Sequence, residues 1–155
     1  MTAKIHLVAD TRCRPISRVT SAGHRHDSLA FKPVMAGIRI RRRGRGRART
    51  RPGRVLGDKA YSSRAIRSEL RRRRIRAAIP EPADQRRNRL KRGRAGGRAP
   101  GFDAEQYKRR NVVERCINKL KNHRAVATRY DKRDFVFRGT VDVASIRIWL
   151  RDPVP

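Results

Sequence analysis

The sequence predicts an α/β protein in which short strands alternate with helices. Three observations carry that prediction. Residues 4–9 (KIHLVA) alternate and are β-rich, two further short apolar runs each neighbour a helical stretch, and the last third holds two helical patterns. Strands that alternate with helices bury their apolar faces by stacking as layers.

Taken in order, residues 4–9 are expected as a strand and residues 16–21 as its hairpin partner across the turn DTRCRP at 10–15. Asp27 or Ser28 caps a short helix through Ala30, Phe31, Val34, Met35 and Ile38. Residues 39–54 are a run of Arg and Gly with no apolar period, expected as a solvated basic loop. Val55 and Leu56 form a short strand that ends at Gly57 and Asp58. Ser62 or Ser63 then opens a helix to about residue 74 with Ala65, Ile66, Leu70 and Ile75 on its apolar side. Residues 75–80 (IRAAIP) return as a strand. Residues 81–106 are basic, rich in Gly and Pro from 81 to 101, and are expected as a second loop or as disorder. A long helix over 107–127 and a final helix over 141–150 complete the chain as one domain.

The 155 residues carry a formal net charge of +30, with 43 Lys plus Arg against 13 Asp plus Glu. Arg far outnumbers Lys, as a GC-rich genome would favour, but the affinity for phosphate remains whatever its origin. A polyanion is the first partner to consider. Cys13 and Cys116 are too few and too far apart for a zinc or disulfide framework. No apolar run approaches the roughly 20 residues that cross a bilayer, and the first ten residues lack the apolar core of a signal peptide. The expectation is a cytoplasmic protein.

The candidate chemistry lies on the 107–127 helix. With Glu114 at zero on a wheel of about 100° per residue, Tyr107 falls near about +20°, Arg110 near about −40° and Lys121 near about −20°. Val113, Ile117 and Leu120 fall together on the side that would pack on a sheet. The polar stripe therefore borders the buried face. An exposed Arg110–Glu114 pair of small energetic weight is the plainer reading of the same stripe. Asp58 ends a short strand directly before a helix, where α/β folds place functional groups, although a helix-capping aspartate has the same look.

The spacing Tyr107-(2)-Arg110-(3)-Glu114-(6)-Lys121 resembles the signature of insertion-sequence transposases of the DDE, ribonuclease H-like class. VLGDKAYSS at 55–63, AAIPEPADQ at 77–85, the stretch from Tyr107 to Lys132, KIHLVAD near the start and RHDS at 25–28 are similar to the insertion-sequence five type. The resemblance spans roughly residues 4–151. It implies a mixed sheet flanked by helices, with Asp58 as the second catalytic aspartate and Glu114 as the catalytic glutamate, both ligands of a Mg²⁺ or Mn²⁺ pair. It also implies that Tyr107, Arg110 and Lys121 grip the DNA backbone at transposon ends. The expected localisation is then a bacterial cytoplasm, at the nucleoid through DNA.

One departure bears on activity. The family's first aspartate lies on a strand upstream of the KIHL strand, and its DNA-binding helices lie further upstream still. The chain is therefore expected to be the C-terminal part, truncated at its first strand and inactive alone. The N-terminal part of the transposase, or an intact copy of it, is then a partner. Asp10 is the one early carboxylate placed to substitute, and it stands at a turn. Among the remaining residues, His24, His26 and Asp27 form a His-x-His-Asp cluster that reads as a polar loop ahead of a metal site. Cys116 and Trp149 read as core. The alternative function is a non-catalytic, arginine-rich nucleic-acid binder or an inhibitor of the intact transposase.

Overall fold

The computed structural model describes residues 3–42 and 44–151. In chain order the elements are β1 (Ala3–Ala9), β2 (Pro15–Ala22), α1 (Phe31–Ala36), β3 (Arg54–Leu56), α2 (Arg64–Arg72), β4 (Arg76–Ala78), α3 (Ala83–Lys91), α4 (Ala104–Lys108), α5 (Asn111–Lys121), α6 (Arg124–Thr128) and α7 (Asp134–Arg151). Short 3-10 turns precede α1 and α2 and follow α3. The strands pair as two separate two-stranded sheets rather than the single mixed sheet expected. No strand among the described residues pairs with both. The chain divides into two compact units, 1–50 with 111–155, and 51–110.

In the first unit β1 and β2 form the expected antiparallel hairpin, with Ile5 opposite Thr20 and Leu7 opposite Arg18. Alternation sends Ile5 and Leu7 to one side, where they pack on Leu120, Val126, Phe137, Val141, Ala144 and Ile148 of α5, α6 and α7. The other side meets α1, which buries Phe31, Val34 and Met35. Ser17 donates from Oγ to the Val34 carbonyl at 2.7 Å. At Gly37 an added Cβ would meet that same Ser17 hydroxyl, so a larger residue there would have to turn the hydroxyl away from the Val34 carbonyl. On the α7 side, Thr20 donates to Asp134 Oδ1 at 2.6 Å and accepts from Arg138 Nε at 2.8 Å, and Arg18 pairs with Asp142.

The second unit is a strand–helix–strand unit. Arg54, Val55 and Leu56 pair in parallel with Arg76, Ala77 and Ala78, and α2 makes the crossover that a parallel pair needs. Ser63 caps α2 by accepting from the Ile66 amide at 3.2 Å, and Ile66 and Leu70 are its buried residues. Arg74, at φ 53°, ends the helix, and the Ile75 amide donates to the Leu70 carbonyl at 2.8 Å.

Three expectations need correction. Residues 81–106 are not a loop throughout. α3 occupies 83–91 and α4 begins at 104. α3 buries nothing, so it shows no apolar period. Asp84 in its first turn, Arg89 and Lys91 in its last, and the Glu81–Arg89 ion pair at 3.0 Å support it instead. The 107–127 helix is three helices, interrupted at 109–110 and 122–123. The final helix starts at Asp134, seven residues before the expected 141. Its first turns hold Phe135, Val136, Phe137 and Gly139, which read locally as strand and turn.

Candidate functional site

Asp58 follows β3 and the buried Gly57. It caps the 3-10 turn Lys59–Tyr61, accepting from the Ala60 amide through Oδ1 at 3.0 Å. That leaves Oδ2 without a hydrogen bond among the described residues. The turn after Asp58 is tied down from behind. Buried Ser62 receives a hydrogen bond from Arg67 at 2.8 Å and donates to Gln85 Oε1 at 3.1 Å, while the same Arg67 nitrogen donates to the Ile79 carbonyl at 2.9 Å. Burial lowers the pKa of Arg67 from its ordinary value, with Glu81 opposing and Arg71 adding to the shift. This bracket escaped the sequence reading. Its signal was the first serine of the VLGDKAYSS stretch, read there only as one of two candidate helix starts.

Tyr107 lies in α4, half-buried, with its ring 5.3 Å from that of Phe102. Arg110 follows the end of α4 and sets its guanidinium 5.8 Å from the centre of the Tyr107 ring. Its amide donates to the Tyr107 carbonyl at 2.9 Å, closing the last turn. Tyr107 and Arg110 are thus together, but as a turn of the second unit and not as part of one long helical stripe.

Glu114 stands in the first turn of α5, where the helix dipole favours a carboxylate. It is exposed, as is Lys121 at the other end of the same helix. The buried residues of α5 are Cys116 and Leu120, with Val113 and Ile117 half-buried. The packing face therefore extends beyond Leu120 to Cys116, and Glu114 is exposed beside its Ile117 edge. The single stripe does not form because the wheel presumed a continuous helix from Tyr107.

Asp10 is engaged. Its Oδ1 accepts from the Arg12 and Arg14 amides at 3.0 and 2.9 Å, and its Oδ2 accepts from Arg14 Nε at 2.7 Å. His26 caps the turn before α1, accepting from the Ser28 amide at 3.3 Å, and Asp27 pairs with Lys4 at 2.9 Å. Their roles are structural. Trp149 donates from Nε1 to the Pro15 carbonyl at 2.7 Å and carries the Arg14 guanidinium 4.2 Å over its ring. Among the described residues no three His, Cys, Asp or Glu side chains gather as a metal cluster. No helix there is long and apolar enough to cross a membrane. By donor chemistry Asp58 and Glu114 each offer the hard carboxylate oxygen that a divalent cation prefers.

The chain matches the family described as Transposase DDE domain over residues 1–141. It is 28% identical over 151 residues to a Brucella ovis protein named for the transposase of insertion sequence element IS6501, covering 97% of this chain and 100% of that protein. No solved structure matches. A family match over that span of residues, with an insertion-sequence protein aligned nearly end to end, shows that the chain belongs to the transposase DDE domain family.

Proposed function

We propose that the chain carries the C-terminal part of a ribonuclease H-like catalytic domain of insertion-sequence five type, acting on DNA at the ends of a mobile element. The observation that carries this reading is the family match over residues 1–141. In it Asp58 and Glu114 hold Mg²⁺ or Mn²⁺, and Tyr107, Arg110 and Lys121 bind the DNA backbone. The cations would supply Lewis-acid activation of a phosphodiester and of the attacking water or 3′-hydroxyl. The residues' own work is binding and orientation. The Arg110 fork and the Lys121 point charge neutralise phosphate, while the Arg67–Ser62 bracket fixes the turn that presents Asp58.

Two carboxylates are too few for the expected set of three, and Asp10 is committed to its turn. The reading therefore takes the remaining ligand from a separate polypeptide segment, such as the N-terminal part of a transposase, and holds that the chain alone does not cut DNA. The test is cleavage of element-end DNA in Mn²⁺. The chain alone should bind without nicking, addition of the upstream segment should restore nicking, and Asp58→Asn or Glu114→Gln should abolish the restored activity while leaving DNA binding intact. Metal-dependent nicking by the chain alone, or restored activity that survives both substitutions, would defeat the assignment.

A further inference from the structure

α3 is a helix without a buried side. From Ala83 to Arg98 every residue except Arg89 and Gly96 is exposed. Burial of an apolar face ordinarily holds a helix in place, and nine residues are marginal in water without it. Here two other devices fix the shape. At the base, Arg89 forks onto Glu81 through Nε and a terminal nitrogen, both at 3.0 Å, and Ser62 donates to Gln85 at 3.1 Å. At the far end the chain turns back over the helix through Gly93, at φ 52°, and Gly96, where a side chain would run into the Arg89 carbonyl. The result is a fixed spur that its own unit leaves uncovered.

The spur is strongly basic, with seven Lys and Arg against one Asp in residues 83–98. With Arg89 at zero on a wheel of about 100° per residue, Arg87, Lys91, Asp84 and Asn88 fall on the opposite side, within an arc of about 100°. Arg92 lies next to one edge of that arc, and Arg86 lies past Leu90 beyond the other. Arg87 and Lys91, four residues apart, repel one another, so this side destabilises the isolated helix.

We propose that α3 enters the major groove of double-stranded DNA. Three features favour that partner. A helix with its side chains is about 10–12 Å across and the groove about 12 Å wide, and nothing has to be displaced from α3 to admit it. The outward arc holds groups that pair with base edges: Arg87 and Lys91 donate to guanine, Asn88 bonds adenine, and Asp84 accepts from cytosine. A helix that served only to attract phosphate would gain nothing from Asn88 there. Arg86, Arg92 and, past the helix end, Arg94 are left for the phosphates on either side. The major groove of an RNA duplex is too deep and narrow for such side chains to read, which selects DNA. The contact needs no cation and is separate from the roles given to Asp58 and Glu114.

The test is equilibrium binding of the full chain, without divalent cation, to two element-end duplexes of one sequence, at about 0.2 M salt to weaken backbone attraction. In one duplex the cytosines carry glucosylated 5-hydroxymethyl groups, which fill the major groove and leave the backbone unchanged. That duplex should bind at least about tenfold more weakly. Arg87→Ala, Asn88→Ala and Lys91→Ala combined should bind both duplexes alike and weakly, with the unfolding midpoint unmoved as expected of exposed positions. Arg87→Lys keeps the charge but not the fork, so it should lose part of the discrimination while the salt slope stays. Arg45→Gln, in the other basic segment, should change binding to the two duplexes equally. A chain indifferent to the filled groove overturns the proposal. So does discrimination that survives the triple variant, or equal affinity for a double-stranded RNA of the same sequence. Nicking in Mn²⁺ reads Asp58 and Glu114 and stands or falls separately.

Discussion

The Arg14 guanidinium and the Asp10 carboxylate hold the β1–β2 turn shut, with Nε 2.7 Å from Oδ2 and the side chains only 8% and 19% exposed. The pair is braced from outside by the Trp149 ring, 4.2 Å from the guanidinium. Cys13 crosses the turn at φ 60°, a left-handed conformation that the two Asp10–amide bonds help to offset.

Removing the carboxylate should therefore cost more than removing the cation. Asp10→Ala removes the anion from a buried guanidinium and the acceptor from two turn amides, and is expected to lower unfolding free energy by about 3 kcal/mol. Arg14→Met keeps an apolar stem against Trp149 and leaves Asp10 its two amides, so it should cost about half as much. Urea unfolding of the two variants measures the order. Equal or reversed costs would mean that the turn does not depend on Asp10, and would reopen that carboxylate as a ligand.

Local chemistry explains what was legible beforehand. The hairpin showed in the alternation of KIHLVA, and α2 in its Ser63 cap and its Ile66–Leu70 spacing. Asp58 was recognisable because an apolar run stops at Gly57 just ahead of it. α3 was hidden because a helix that buries no residue leaves no period to read. The break before α5 has no glycine or proline to announce it, so Tyr107 and Arg110 were assigned to a helix that they do not share with Glu114.

His6 gives the hairpin a pH dependence. It is buried on β1 with Nε2 2.8 Å from Ser21 Oγ. Burial lowers its pKa below 6.5, opposed by Asp27 and reinforced by Lys4. A histidine depressed in the folded state favours folding only while neutral. Its contribution is full above the unfolded value and is lost as pH falls through 6.5 toward the folded value. The urea midpoint should thus decline between about pH 7 and about pH 5, and His6→Gln should flatten that decline. A slope unchanged in the variant would place its origin elsewhere.

Cys116 should behave as an inert core residue. It is wholly buried, and burial, with smaller contributions from Cys13 and Asp10, pushes its thiol up to about 12. The thiolate that reacts with disulfide reagents is then scarce at neutral pH. Native protein should consume such a reagent slowly and release both thiols on denaturation, since Cys13 is buried too. Rapid labelling of Cys116 in the folded chain would show that α5 opens without global unfolding.

The arginines of the 39–54 stretch separate DNA contact from mere charge. Arg41, Arg42, Arg45 and Arg47 are exposed, in a segment that holds the Ile40–Arg49 bridge at 2.9 and 2.8 Å. Exposed positions of this kind contribute little to stability, so changing all four to Gln should leave the unfolding midpoint nearly unmoved. If they touch phosphates, each contact releases close to one counterion. The plot of log affinity against log salt should then flatten by about 3.6 in the quadruple variant, with weaker binding at low salt. If affinity falls but the slope stays, the loop attracts DNA only at a distance, and the phosphate contacts belong instead to residues such as Arg110 and Lys121.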